Sequence, residues 1–142
     1  MALQHNTATK LRADVLKGLT ELNDASFDLV VCDPPALIKG RKDLGPGTHA
    51  YLQLNTQAFR LVRPGGAIIS CSCSALLEEE EFAKALTKAA ARNQADVRWI
   101  GRGDRLDRAF NQVTIATQGE SPGKLQDGVS GQGISRFHYQ VV

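Results

Sequence analysis

Apolar positions fall along this chain in two rhythms. The run FDLVVC, Phe27 to Cys32, is mostly apolar, with no polar alternation apart from Asp28. That is the pattern of a strand covered on both faces, as in a parallel sheet. AIISCSCS, from Ala67 to Ser74, reads as a second buried strand. Between them Tyr51, Leu54, Ala58 and Leu61 recur at helical spacing and stop before Pro64-Gly65-Gly66, which predicts an amphipathic helix. ALLEEEEFAKALTKAAARNQ is helical by its alanine and leucine content. Its glutamates come early and Lys84, Lys88 and Arg92 late, an order that complements the helix dipole. Glu80 and Lys84 also stand in the favourable i,i+4 order, and the glutamate run reads as a solvated face.

The remaining elements carry weaker signals. ALQHNTATK reads as a helix end and a loop, LRADVL as a short strand whose end carries Asp14, and LKGLTELND as a helix. IKGRKDLGPGTH is a polar loop with glycine and proline at its turns. VRWIG, QVTIATQ and FHYQVV are strand candidates, the last two separated by the glycine-rich GESPGKLQDGVSGQG. Strands alternating with helices predict an α/β domain with parallel pairing.

Length and composition narrow the class without naming a function. The 142 residues make about one domain, 42% hydrophobic and 23% charged, ordinary for a globular protein. A net charge of +2 is too small to argue for nucleic acid by itself. No apolar run approaches the ~20 residues that span a bilayer, so no membrane association is expected. Three cysteines, two of them in Cys71-Ser72-Cys73, do not make a disulfide framework and point to a reducing cytoplasm. His5, His49 and His138 have no zinc-like spacing with them, and no metal site is expected.

The chemistry concentrates where FDLVVC ends. Asp33 follows the strand, and Pro34 and Pro35 cannot continue a ladder because neither has an N–H. In open α/β sheets the ligand crevice lies beyond the carboxyl ends of the strands. Spacing alone leaves two readings open: a reactive acid at the crevice, or a motif that merely ends a strand.

Taken together, RADVL, FDLVVCDPP, LVRPGGAIISCSCS and the helix between them resemble the later half of a class I S-adenosylmethionine-dependent methyltransferase. More closely, they resemble the bacterial large-subunit ribosomal RNA cytosine-C5 methyltransferases, the group that usually carries an upstream RNA-binding PUA domain. The resemblance covers residues 1 to about 107. It implies a partial Rossmann-like domain over residues 1–110, a mostly parallel sheet flanked by helices and lacking the first strands. Residues 111–142 follow as a divergent, partly flexible tail.

What the resemblance implies for single residues is specific. Asp14 matches the acid that contacts the adenine of S-adenosylmethionine. Asp33, with Pro34 and Pro35, matches the strand-end motif lining the cosubstrate and target-base pocket. Cys73 matches the cysteine that attacks the base; Cys71 has no counterpart there, and Cys32 reads as packing. The chemistry agrees, because carbon 5 of cytosine is a poor nucleophile until a thiolate adds to carbon 6. An acid near the ring, the role of Asp33, would stabilise charge while that adduct forms. Read without the family, Cys73 is a small buried hydrophobe. Lys39, Arg41 and Lys42, just past the base pocket, are either contacts to the RNA backbone or a solvated loop.

Two other readings stand beside this one. Amino-methyltransferases acting on an exocyclic base nitrogen also carry DPP, but they place an aromatic residue next; here Ala36 and Leu37 follow. A noncatalytic α/β remnant or interaction module is the second. It is motivated by the family's glycine-rich cofactor loop and ribose-binding acid, which should precede RADVL, where only 11 residues stand before Arg12. On that reading the chain alone binds S-adenosylmethionine weakly, since two lost contacts to charged groups reduce affinity by ~10²–10⁴-fold. It also leaves the strand ending at Asp33 as an open sheet edge prone to self-association.

Overall fold

The computed structural model describes residues 11–104, 112–118 and 139–141, with side chains described as far as Ile100. Its regular elements are β1 (Phe27–Cys32), α1 (Leu44–Leu61), β2 (Val62–Ser72), α2 (Glu79–Arg92), β3 (Val97–Asp104), β4 (Gln112–Gln118) and β5 (Tyr139–Val141). They form one five-stranded sheet in the order β3-β4-β2-β1-β5. β1 runs parallel to both β2 and β5. β4 is antiparallel to β2 and to β3, so β3 points the same way as β2 and a single reversed strand separates them. The two strand candidates of the tail, QVTIATQ and FHYQVV, thus contribute backbone to the same sheet.

β5 corrects the expectation of an open edge at β1. Leu29, Val30 and Val31 pair with Tyr139, Gln140 and Val141. The backbone groups expected to stand free on that side of β1 are engaged there by the chain's own tail.

Helices α1 and α2 pack on each other and on one face of the sheet. Val30, Cys32 and Ile68 join Leu54, Ala58, Phe59 and Leu61 of α1, and Ala89 and Ala90 of α2, in one core. Leu29, Val31, Ala67 and Ile69 alternate with them and are only partly buried, as the two-residue period of a strand requires. The reading of both faces as fully covered is therefore half right: one face is closed and the other half-open.

The beginning of the described chain departs most from the pattern. LRADVL forms no strand; Val15–Lys17 is a 3₁₀ turn, and the Asp14 side chain accepts the Leu16 N–H at 3.2 Å. LKGLTELND forms no α-helix either. Gly18 takes φ +98°, ending the turn, and Arg60 claims carbonyls that a helix would use internally. Its guanidinium donates to Leu19 O at 2.8 Å and Leu22 O at 3.0 Å, and it pairs with Asp24. The stretch 1–10 lies outside the described residues.

The loop IKGRKDLGPGTH is shorter than its composition suggests, because α1 already begins at Leu44. Pro46 is tolerated in the first turn, where amides have no helical partner. Gly47 is required for a different reason. A Cβ there would stand 2.3 Å from Ile38 Cγ1 and 2.8 Å from the Leu37 carbonyl oxygen. The missing side chain lets the segment after Pro35 lie directly on α1. No described helix is long and apolar enough to cross a membrane.

Gly47→Ala separates propensity from packing. Alanine favours a helix by about 1 kcal/mol, yet the added methyl overpacks the contact. We expect a net loss of about 1–3 kcal/mol in urea unfolding; a stabilised variant would contradict the close approach.

Candidate active site

The carboxyl ends of β1 and β2 lie side by side, and each strand brings one motif. The last paired residues of their ladder are Cys32 and Ser70; one step further, the register sets Asp33 beside Cys71. Asp33 is partly exposed, Pro34 buried and Pro35 exposed. Cys73 lies just past the end of β2, partly exposed, with Sγ 3.8 Å from the Pro34 carbonyl oxygen. The structure therefore brings Asp33, Pro34 and Cys73 to one place.

The sequence Ser70-Cys71-Ser72-Cys73-Ser74 explains which groups face where. Alternation along the strand turns the serines toward the helical layer and Cys71 toward the half-open face; Cys73 continues on that side just beyond the strand. Ser70, Ser72 and Ser74 are all fully buried, so each hydroxyl needs a partner. Ser70 donates to Asn55 Oδ1 at 2.5 Å, and Asn55 Nδ2 donates to the Tyr51 carbonyl at 2.8 Å. Ser72 Oγ accepts the Ser74 N–H at 3.3 Å. Ser74 Oγ accepts the Ile38 N–H at 3.1 Å and shares a 2.8 Å hydrogen bond with the Tyr51 hydroxyl.

Electrostatics separate the thiols. Burial pushes Cys32 up to about 12, reinforced by Cys71 and Asp33 and eased by a hydrogen bond from Ser70. Burial also pushes Cys71 up to about 11, with Asp33 and Cys73 adding to the rise. At neutral pH both are thiols, and neither is suited to nucleophilic attack. Cys73 alone of the three is partly exposed.

The other expected residues are not gathered with it. Asp14 is exposed, caps its own turn and pairs with Lys17 at 3.5 Å, rather than ending a strand. Lys39, Arg41 and Lys42 are exposed on the connection into α1, Arg41 and Lys42 within a 3₁₀ turn, Arg41–Asp43. Glu80 and Glu81 pair with Lys84 at 3.0 and 2.9 Å on the solvated face of α2. Among the described residues no group of three His, Cys, Asp or Glu side chains could hold a metal ion. Sequence reasoning missed Tyr51, Asn55 and Ser74. The helical period counts Tyr51 simply as an apolar position, and the serines read as flanks of a cysteine.

The class of protein is visible at the level of the fold. A crystal structure from Thermus thermophilus, whose name assigns it to the DNA modification methylases, superposes with a TM-score of 0.53 at 14% identity, over 81% of this chain and 56% of that one. The fold is that of a partial Rossmann-like class I methyltransferase domain. No family model matches the chain. Individual relatives are more informative. Over 109 residues the chain is 35% identical to ribosomal RNA large subunit methyltransferase I of Vibrio cholerae serotype O1 (strain El Tor Inaba N16961), covering 75% of this chain and 27% of that protein. Over 120 residues it is 32% identical to the protein of the same name from Klebsiella pneumoniae (strain 342), covering 83% and 29%. The chain thus spans less than a third of the length of these curated relatives.

The thiol environments predict an order of reaction. Iodoacetamide at about pH 8 should label Cys73 first. Cys71, at about 11, is then only ~0.1% thiolate and should react, with Cys32, only on unfolding. Tandem mass spectrometry of the native protein checks this, and early labelling of Cys71 would contradict it.

Proposed function

We propose that this chain contributes part of the catalytic domain of an S-adenosylmethionine-dependent methyltransferase of the bacterial ribosomal RNA cytosine-C5 group. It would act in the cytoplasm, with Cys73 as the nucleophile. One observation carries the reading: the most accessible thiol of the chain stands beyond the end of β2, against the Pro34 carbonyl of the DPP motif. The names of the relatives support ribosomal RNA as the substrate.

The residues present fit the cosubstrate in part. Asp33 stands at the sheet's carboxyl end, where such crevices form, whereas the Asp14 carboxylate is occupied by the Leu16 amide and Lys17. When bound, S-adenosylmethionine supplies a methyl group on a sulfonium, which carbon 5 takes up. The chain's own residues prepare that carbon. The Cys73 thiolate bonds to carbon 6, and the electrons of the 5,6 double bond move through the ring. The Asp33 carboxyl passes a proton to the ring nitrogen on which charge builds. After methylation the carbon-5 proton leaves to a base. Its electron pair re-forms the double bond, Cys73 departs as thiolate, and the nitrogen returns its proton. Pro34 fixes the carbonyl against which the thiol rests. Lys39, Arg41 and Lys42 extend from this end of the sheet and suit contacts to RNA phosphates.

Alanine substitution in a preparation that methylates cytosine-containing RNA tests the assignment. Cys73→Ala should lower methyl transfer by about 10³-fold or more, as loss of a nucleophile does, while Cys71→Ala stays within about tenfold of the parent, as expected for a residue outside the reacting unit. Retained activity in Cys73→Ala ends the proposal.

A further inference from the structure

Beyond Cys32 and Ser70 the β1–β2 ladder registers no further pair, yet the groups assigned to chemistry all lie past that rung. Something else must hold the two strand ends together. We propose that Tyr51 and Ser74 are positioning residues that keep the Cys73 thiol against the Pro34 carbonyl, a role that rests on Cys73 being the nucleophile.

The Ser74 hydroxyl joins three segments at one atom. It belongs to the turn after β2, accepts the Ile38 N–H of the segment after Pro35, and bonds the Tyr51 hydroxyl of α1. Ser74 and Tyr51 are both 0% exposed, so water does not compete, and in a low-dielectric interior such bonds hold their geometry well. A serine hydroxyl offers one donor and two acceptor positions, which allows both bonds at once.

The tyrosine ring is itself fixed. Phe82 of α2 meets it edge-on, with centroids 5.7 Å apart and planes at 83°, and Ile38, Leu77 and Leu86 complete the cluster. The Leu77 N–H donates to the Ser74 carbonyl at 3.1 Å, closing the turn from the other side. Ser72 and Ser74, the neighbours of Cys73, are thereby both anchored toward the helices. Only the Cys73 side chain between them is left facing outward. A leucine at position 51 would fill the same core without reaching Ser74. The hydroxyl is the part of Tyr51 that acts on the site.

The test uses thiol alkylation, which needs neither RNA nor cosubstrate. A failed methyl-transfer assay would count against the functional reading, whereas a failed alkylation test counts against the positioning role. Tyr51→Phe and Ser74→Ala each release the turn and let the thiol swing away from Pro34. The iodoacetamide rate at Cys73, followed by tandem mass spectrometry across the thiol titration range, should then rise about fivefold, the ratio corresponding to one ordinary hydrogen bond. Leu86→Val, which loosens the same cluster without touching the hydroxyls, should leave the rate and its pH profile unchanged. If one of the two hydroxyl variants does not fold, the other decides alone. Unchanged rates in the hydroxyl variants, or an equal rise in Leu86→Val, would overturn the proposal.

Discussion

A single buried hydroxyl, that of Ser74, joins the parts of this molecule that matter for chemistry. Parallel strands β1 and β2 are held by their ladder only as far as Cys32 and Ser70. Past that point the DPP segment and the Ser-Cys-Ser turn would be two loose ends. Ser74 ties one to the other and both to α1. Placing a hydroxyl at such depth costs about 1–3 kcal/mol if it is left unpaired, so the bonds at this atom constrain the surrounding residues as much as they stabilise them. Gly47 belongs to the same constraint, because the segment bearing Ile38 reaches the hydroxyl only where α1 has no side chain in the way.

The distribution of cysteines follows from this arrangement. Strand alternation sends the serines of SCSCS inward to polar partners and the cysteines to the opposite side. Depth then distinguishes the cysteines from one another. Cys71 lies within the sheet and beside Asp33, so burial and charge keep its proton on. Cys73 is two residues further along, where the strand has ended and solvent reaches it. Two thiols in the same motif thus acquire different chemistry from a displacement of one strand period.

The central elements were legible in the sequence because their signals are local. The apolar run before Asp33, the helical spacing of Tyr51 to Leu61, and the alanine-rich helix with its charge order all appear in the fold. The Asp33–Pro34–Cys73 meeting was accessible only through two motifs read together. Failures came where tertiary contacts override local pattern. LKGLTELND has helical composition, but Gly18 and the Arg60 guanidinium hold it in turns. Asp14 reads as a strand-end acid, yet no strand forms around it. The pairing of β5 with β1 joins residues about 110 positions apart, a contact that no window of sequence can contain. Tyr51 and Ser74 escaped for a related reason: their importance lies in a bond between elements, and each alone has an ordinary role.

The central claim is that Cys73 attacks the base, and the adduct itself is the most direct witness. A cytosine carrying fluorine at carbon 5 has no proton there to surrender, so the bond to the thiol persists after methylation. RNA containing 5-fluorocytidine, incubated with the protein and saturating S-adenosylmethionine, should yield a covalent complex whose peptide map places the nucleotide on Cys73. A complex mapped to Cys71 or Cys32, or methylated RNA with no covalent complex at all, would contradict the account.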